Sequence, residues 1–264
     1  MLQFGSLANM PIFFANSFPK SGTHLLTQIL SGFESLGPAV AAGLPAIVNF
    51  DGPTGRLKSV QSTLKELHML RGGDISYGHL HAIPEVVAEF SRKQMVPFFL
   101  YRDPRDVVIS HVHYVTEIER NHVHHQYYAH ELKDDGERLK VSILGRPELG
   151  NLFPNIMERF RPYLDWLKVP NVTLLRYEDL IQNRKSSLET ILQRVVDSGF
   201  PLRSEQELSL EIINNQIIPE KSPTFRKGEI GKWREVFSET NKELFKNTAG
   251  DLLIQLGYEE NNDW

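Results

Sequence analysis

Short apolar runs alternate along this chain with stretches whose apolar residues recur at helical spacing. Pro11-Ile12-Phe13-Phe14-Ala15 is an apolar run that reads as a strand, Val96-Pro97-Phe98-Phe99-Leu100-Tyr101 reads as a buried strand, and a further strand is read over Val172 to Arg176. Ile75 to Leu80 reads as extended. Leu25, Leu26, Ile29, Leu30 and Phe33 predict one face of a helix that Gly37-Pro38 ends. Further helices are predicted over Ser59 to Leu70, Ser186 to Val196, and Thr240 to Leu256, the last stopped by Gly257. Residues 39–57, rich in Gly, Pro and Ala, read as a long loop, and 121–155 shows no clear period. Strands alternating with helices predict an α/β fold with a central parallel sheet flanked by helices. With no internal repeat and no low-complexity linker, residues 1–264 are read as a single domain.

Composition narrows the classes. A net charge of −4 argues against a nucleic-acid partner held by a basic surface, yet leaves room for a local basic pocket that takes a small anion. Zero cysteines exclude a disulfide framework, a thiolate metal site and a cysteine nucleophile. The first cationic side chain is Lys20, so no basic segment precedes the apolar start, and no run approaches membrane-spanning length. The expectation is a cytoplasmic protein with no membrane partner.

Three segments carry candidate chemistry. After the first apolar run come Phe18-Pro19-Lys20-Ser21-Gly22-Thr23-His24 and then a helix. A strand that turns at a glycine into a helix start aims unpaired N–H groups and a positive dipole end at a ligand, which suits phosphate or sulfate. Lys20 precedes Ser21-Gly22 with no upstream glycine, unlike a Walker A loop, so an ordinary ATPase or GTPase reading is weak. A strand–turn–helix whose hydroxyls only cap the helix fits the loop taken alone. The second segment is Arg102-Asp103-Pro104-Arg105-Asp106-Val107-Val108-Ile109-Ser110. Arg102 follows a predicted strand at its carboxyl end, Asp103-Pro104 supply an N-cap and first-turn proline, and Ser110 lies about two turns on. Surface charges flanking a helix start would read the same way. The third, Phe225-Arg226-Lys227-Gly228-Glu229-Ile230-Gly231-Lys232-Trp233, suits a flexible basic loop closing on a phosphate, or a solvated turn.

Together, in this order, the three segments resemble the cytosolic-type sulfotransferases that use 3′-phosphoadenosine 5′-phosphosulfate (PAPS), and Arg176-Tyr177-Glu178-Asp179-Leu180 is similar to a fourth family segment. The resemblance spans residues 12 to about 237 and implies a P-loop-like sulfotransferase architecture. It implies transfer of a sulfuryl group from PAPS to a hydroxyl or amine of a small-molecule acceptor, leaving 3′-phosphoadenosine 5′-phosphate (PAP), with no metal. Lys20, Ser21, Gly22 and Thr23 would hold the donor's 5′ end, with Lys20 stabilising the leaving phosphate, and His24 would also bind the donor. Arg102, Ser110, Arg226, Lys227 and Gly228 would hold the 3′-phosphate, with Ser110 also counted as catalytic, and Tyr177 would lie beside the adenine. An attacking hydroxyl needs a base. In Tyr77-Gly78-His79-Leu80-His81-Ala82-Ile83-Pro84 the family's position falls on His79, with His81 second because a spacing of two puts it on the same strand face. His24 and Leu25 stand where the family often has threonine and tryptophan, and Tyr77-Gly78 where it often has Lys-Thr. The family's dimerisation motif is poorly matched by Arg234 to Glu243, which leaves the oligomeric state open.

Six of the ten histidines fall at 111, 113, 122, 124, 125 and 130. Helical spacing puts His111 and His113 on different faces and nothing resembles His-Glu-x-x-His, so no metal site is expected. The segment follows the 3′-phosphate helix, which in the family borders the acceptor pocket. A nucleotide-dependent kinase would need Walker-type and magnesium-binding residues that are not evident here. A nucleotide-binding module without chemistry is the remaining rival, against which Lys20 and His79 argue.

Overall fold

The computed structural model describes residues 10–51, 54–222 and 228–264. Six strands form a parallel sheet: β1 (Ile12–Ser17), β2 (Val40–Ala41), β3 (Ile47–Val48), β4 (Asp74–His79), β5 (Met95–Tyr101) and β6 (Thr173–Arg176). Their order is β2-β4-β1-β5-β6, with β3 also paired to β4. Around and after them come α1 (Thr23–Ser31), α2 (Phe33–Leu36), α3 (Val60–His68), α4 (Pro84–Phe90), α5 (Pro104–His113), α6 (Asp135–Leu144), α7 (Ile156–Phe160), α8 (Tyr177–Gln182), α9 (Arg184–Asp197), α10 (Gln206–Asn215), α11 (Trp233–Val236) and α12 (Glu239–Gln255).

The continuous apolar runs follow from burial on both faces. In β1 successive side chains point to opposite sides of the sheet. Phe13 meets Phe33 at 5.8 Å and Phe200 at 5.4 Å between ring centroids, while Phe14 meets Phe90 at 5.0 Å, and Phe90 in turn stacks on Trp166 at 5.0 Å. Helices α2 and α4 therefore supply aromatic cover to opposite faces, and every residue of β1 and β5 is buried.

The described residues fall into two compact units. One draws on residues 10–49, 58–101 and 163–222 and contains the sheet; the other draws on 50–51, 54–57, 102–162 and 228–264 and contains α5, α6, α7, α11 and α12.

Two sequence expectations change. The first helix divides into α1 and α2 at Gly32, where a Cβ would come within 2.9 Å of the Ile213 backbone, so close packing fixes a glycine there. The loop over 39–57 contains β2 and β3, two residues each, too short to give a periodic signal.

Candidate active site

Within the sheet-bearing unit, β1 lies between β4 and β5, with neighbours on both sides that follow it in the chain. The carboxyl end of such a central strand is where open α/β sheets bind ligands. There β1 runs into the loop 18–22 and β4 ends at His79. The register pairs Asn16 with Gly78, which sets Ser17 beside His79. His79 Nδ1 lies 2.9 Å from the Ser17 carbonyl oxygen. A carbonyl only accepts, so the ring proton sits on Nδ1 and the Nε2 lone pair is left available. Ser17 Oγ is 3.2 Å from the same Nδ1 and 2.7 Å from Thr23 Oγ1, which links the histidine to the first residue of α1.

The backbone after His79 is held firmly. The Asn16 side chain donates to the Leu80 carbonyl at 3.1 Å and accepts the Leu80 N–H at 2.8 Å, while Trp166 Nε1 donates to the same carbonyl at 2.7 Å. Burial pushes the His79 pKa down to about 4, Lys20 and His24 push the same way, and the Ser17 carbonyl opposes them. His79 is therefore a neutral imidazole near pH 7.

The loop has the construction of an anion receptor. Lys20 has φ of +70° and Gly22 of +101°, so the chain turns sharply into the start of α1, with the Ser21 N–H closing the turn on the Phe18 carbonyl at 3.1 Å. A Cβ at Gly22 would stand 2.6 Å from a Tyr177 ring carbon, so Tyr177 packs directly on the loop and only glycine fits beneath it. No side chain caps the first turn of α1, and Ser21 Oγ is buried with no hydrogen-bond partner among the described residues. Orphaned buried donors beside an uncapped helix start fit a phosphate or sulfate group. His24 is half-buried, its pKa lowered by burial and then by Lys20. It joins Gln28, Ile218 and Lys221 in the wall of a cavity of about 300 Å³.

His81 departs from expectation. β4 ends at His79, so the two histidines do not share a strand face. The backbone N–H of His81 donates to Asn49 Oδ1 at 2.6 Å, and its ring stands edge-on to Tyr163 at 4.9 Å. Its pKa is also lowered to about 4, by burial.

In the other unit, Asp103 caps α5 by accepting the Arg105 N–H at 2.9 Å, with Pro104 in the first turn, as the sequence predicts. Arg102 Nη2 donates to the Glu229 carbonyl at 2.7 Å and lies 3.7 Å from Asp106 Oδ2. The buried Asp106 carboxylate accepts the Gly231 N–H at 2.7 Å and the Trp233 N–H at 2.9 Å. Burial raises its pKa, and Arg102 and the two N–H groups counter the rise. Asp106 thus ties the Arg102 segment to the glycine-rich segment. Ser110 is half-buried on α5, and Gly228 and Gly231 take φ of +64° and +71°. Arg226 and Lys227 lie outside the described residues. Arg105 has a structural place: fully buried, it pairs with Asp103 at 2.8 Å and lies between the Trp233 and Trp264 rings, 3.8 and 4.5 Å from their centroids.

The sequence reading missed Ser17 and Asp106. Ser17 carried only a weak signal, a hydroxyl at the end of an apolar run. Asp106 carried a better one, four residues after Arg102 on a helix start.

The family model for the sulfotransferase domain matches residues 12–257. The chain belongs to the sulfotransferase family. Among curated relatives, this sulfotransferase is 26% identical over 252 residues to 3-alpha-hydroxysteroid sulfotransferase of Cavia porcellus and 27% over 245 residues to 3-beta-hydroxysteroid sulfotransferase of the same animal. Both alignments cover 87% of this chain and 79% of the relative. Its fold is similar to that of mouse sulfotransferase SULT7A1 complexed with PAP, with a TM-score of 0.60, 18% identity and coverage of 97% of this chain and 92% of the other. It is also similar to retinol dehydratase in complex with androsterone and PAP, with a TM-score of 0.58, 18% identity and coverage of 94% and 83%. No described helix is long and apolar enough to cross a membrane.

Proposed function

We propose that the sulfotransferase moves a sulfuryl group from PAPS to a hydroxyl or amine of a small-molecule acceptor, with His79 as base and Lys20 stabilising the leaving phosphate. The observation that carries this reading is the contact of His79 Nδ1 with the Ser17 carbonyl. It fixes the tautomer in which Nε2 accepts a proton, and Ser17 and Thr23 link that ring to the anion-receiving loop. Ser21, Gly22 and Thr23 hold the donor's 5′ end through loop N–H groups and hydroxyls, His24 also binds the donor, and Tyr177 lies beside its adenine. Arg102, Ser110, Arg226, Lys227 and Gly228 hold the 3′-phosphate.

Bound PAPS supplies an activated sulfuryl group. As the acceptor oxygen or nitrogen forms its bond to sulfur, the bond from sulfur to the phosphate oxygen breaks. His79 Nε2 takes the acceptor's proton, and Lys20 meets the charge left on the phosphate oxygen. Cations held in place suffice for this charge, so no metal is assigned to the step. Small hydroxylated acceptors fit the names of the hydroxysteroid sulfotransferase relatives. We assign the whole chain to one catalytic domain acting in the cytoplasm without a nucleic-acid or membrane partner; fractionation of the source cells checks the location.

The deciding measurement is calorimetric titration with PAP against ATP with magnesium. Saturable binding of PAP with ATP–magnesium at least tenfold weaker is expected. The reverse preference would overturn the donor assignment.

A further inference from the structure

Outside the donor site, the unit that holds α5 gathers three histidines that helical periodicity does not pair. His111 lies in the last turn of α5, and His122 and His124 lie in the chain that follows it. One ring nitrogen from each falls within 4.8 Å of the others. We propose that His111, His122 and His124 form a binding site for one late first-row transition-metal dication, with zinc as its occupant.

The hydrogen bonds around the rings support ligation. His111 Nδ1 is 3.1 Å from Ser142 Oγ, and that hydroxyl donates to the Val108 carbonyl at 3.3 Å. With the Ser142 proton turned to Val108, His111 would donate from Nδ1, the tautomer in which Nε2 carries the lone pair a metal needs. His124 Nε2 donates to the Leu152 carbonyl at 2.7 Å, and its Nδ1 is buried with no hydrogen-bond partner among the described residues. An imidazole that gives one N–H to a protein oxygen and turns the other nitrogen inward is the usual arrangement of a metal-ligating histidine. His122 Nδ1 accepts the backbone N–H of His124 at 3.1 Å, a contact given up or rearranged on ligation.

His124 Nδ1 is a buried lone pair rather than an N–H donor, which disfavours an anion beside it. The half-buried Arg159 lies close enough for its charge to act on His122 and His124, and that charge opposes a cation there. That selects a metal with strong affinity for imidazole over magnesium or calcium. Tetrahedral zinc with bonds of about 2.0–2.1 Å sets its nitrogens about 3.4 Å apart, so the rings close in by roughly 1 Å. The bound ion would join the end of α5 to the segment carrying His122 and His124, and would leave a fourth position for water.

The test uses untagged full-length protein stripped with a chelator, titrated with zinc in a calorimeter and with cobalt(II) followed by visible absorption. One ion per chain, intense tetrahedral cobalt bands and a zinc-dependent rise in melting temperature are expected. His111→Ala and His124→Ala should each weaken zinc binding at least about 100-fold, while His125→Ala and His130→Ala leave it unchanged. Circular dichroism establishes that the variants are folded. Independently of any substitution, zinc should protect these three histidines of the unaltered protein from diethylpyrocarbonate, as mapped by mass spectrometry. No saturable binding, binding that survives in folded His111→Ala and His124→Ala proteins, or protection at other histidines would each overturn the site. Failure of PAP binding in the donor experiment leaves these outcomes unaffected.

Discussion

At the scale of single residues, the loop proposed to hold the donor and the proposed base follow from local geometry. Lys20 and Gly22 adopt left-handed backbone, Tyr177 sits where a Cβ on Gly22 would be, and the Ser17 carbonyl sets the tautomer of His79. Removing the imidazole removes the proton acceptor but none of the loop groups proposed to hold the donor. His79→Ala is therefore expected to lower kcat by about 10²–10⁴-fold while the Kd for PAP stays within a few-fold of the original, measured by steady-state kinetics and calorimetry. In the unaltered enzyme kcat/KM should hold constant from pH 8 down to about 5 and fall towards pH 4, since burial keeps His79 neutral far below the ordinary histidine range. A near-normal His79→Ala enzyme would move the base elsewhere. The sequence put His79 ahead of His81 through its family segment, but not the end of β4 that takes them off a shared strand face. Where β4 stops depends on the Asn16 and Trp166 contacts to Leu80, both more than 60 positions away along the chain.

Elements were legible where period and length were sufficient. β1 and β5 follow continuous apolar runs, and Ser59, Asp103 and Ser238 cap α3, α5 and α12 by local side-chain bonds. Two-residue strands held by their partners left no local pattern. The 121–155 stretch gave no period because it mixes π-helical and 3₁₀ turns with α6. The same distinction explains Asp106: its helix start could be read, but the N–H groups it accepts lie 125 and 127 positions on. By fixing the glycine-rich segment against α5, Asp106 acts as a positioning residue for the groups proposed to meet the 3′-phosphate. Asp106→Ala orphans two N–H groups at about 1–3 kcal/mol each and frees the segment. The expected result is a lower melting temperature and a rise of about 10–100-fold in the KM for PAPS, with the KM for the acceptor changed much less. Asp106→Asn keeps one acceptor oxygen and should recover part of the donor affinity, which a purely structural role would not predict. Equal effects on both KM values would count against the positioning role.

At the scale of the whole molecule, the two units share an electrostatic feature that no single site explains. His79 and His81 in one, and His122 and His124 in the other, are each held by burial at a pKa of about 4 against an ordinary value of 6.5. In the unfolded chain these rings take up protons as the pH falls through 6.5, whereas in the folded chain they do so only near 4. Between those values the unfolded state binds more protons, so stability must decrease as pH decreases across that window. Above pH 7 the four groups contribute no slope, and below about 4 their contribution levels off because both states are protonated. Zinc-free protein should therefore show a melting temperature that is flat from pH 8 to 7 and drops steeply from 6.5 to 4. Proton uptake on unfolding should approach four within the window, read by calorimetry in buffers of different ionisation enthalpy. His81→Phe keeps a ring against Tyr163 and leaves the Asn49 contact, which uses only the His81 backbone. It removes one titrating group, so the uptake should fall by about one proton. An uptake unchanged in that variant would mean that His81 does not gain a proton on unfolding, and the acid sensitivity would then have to come from other groups.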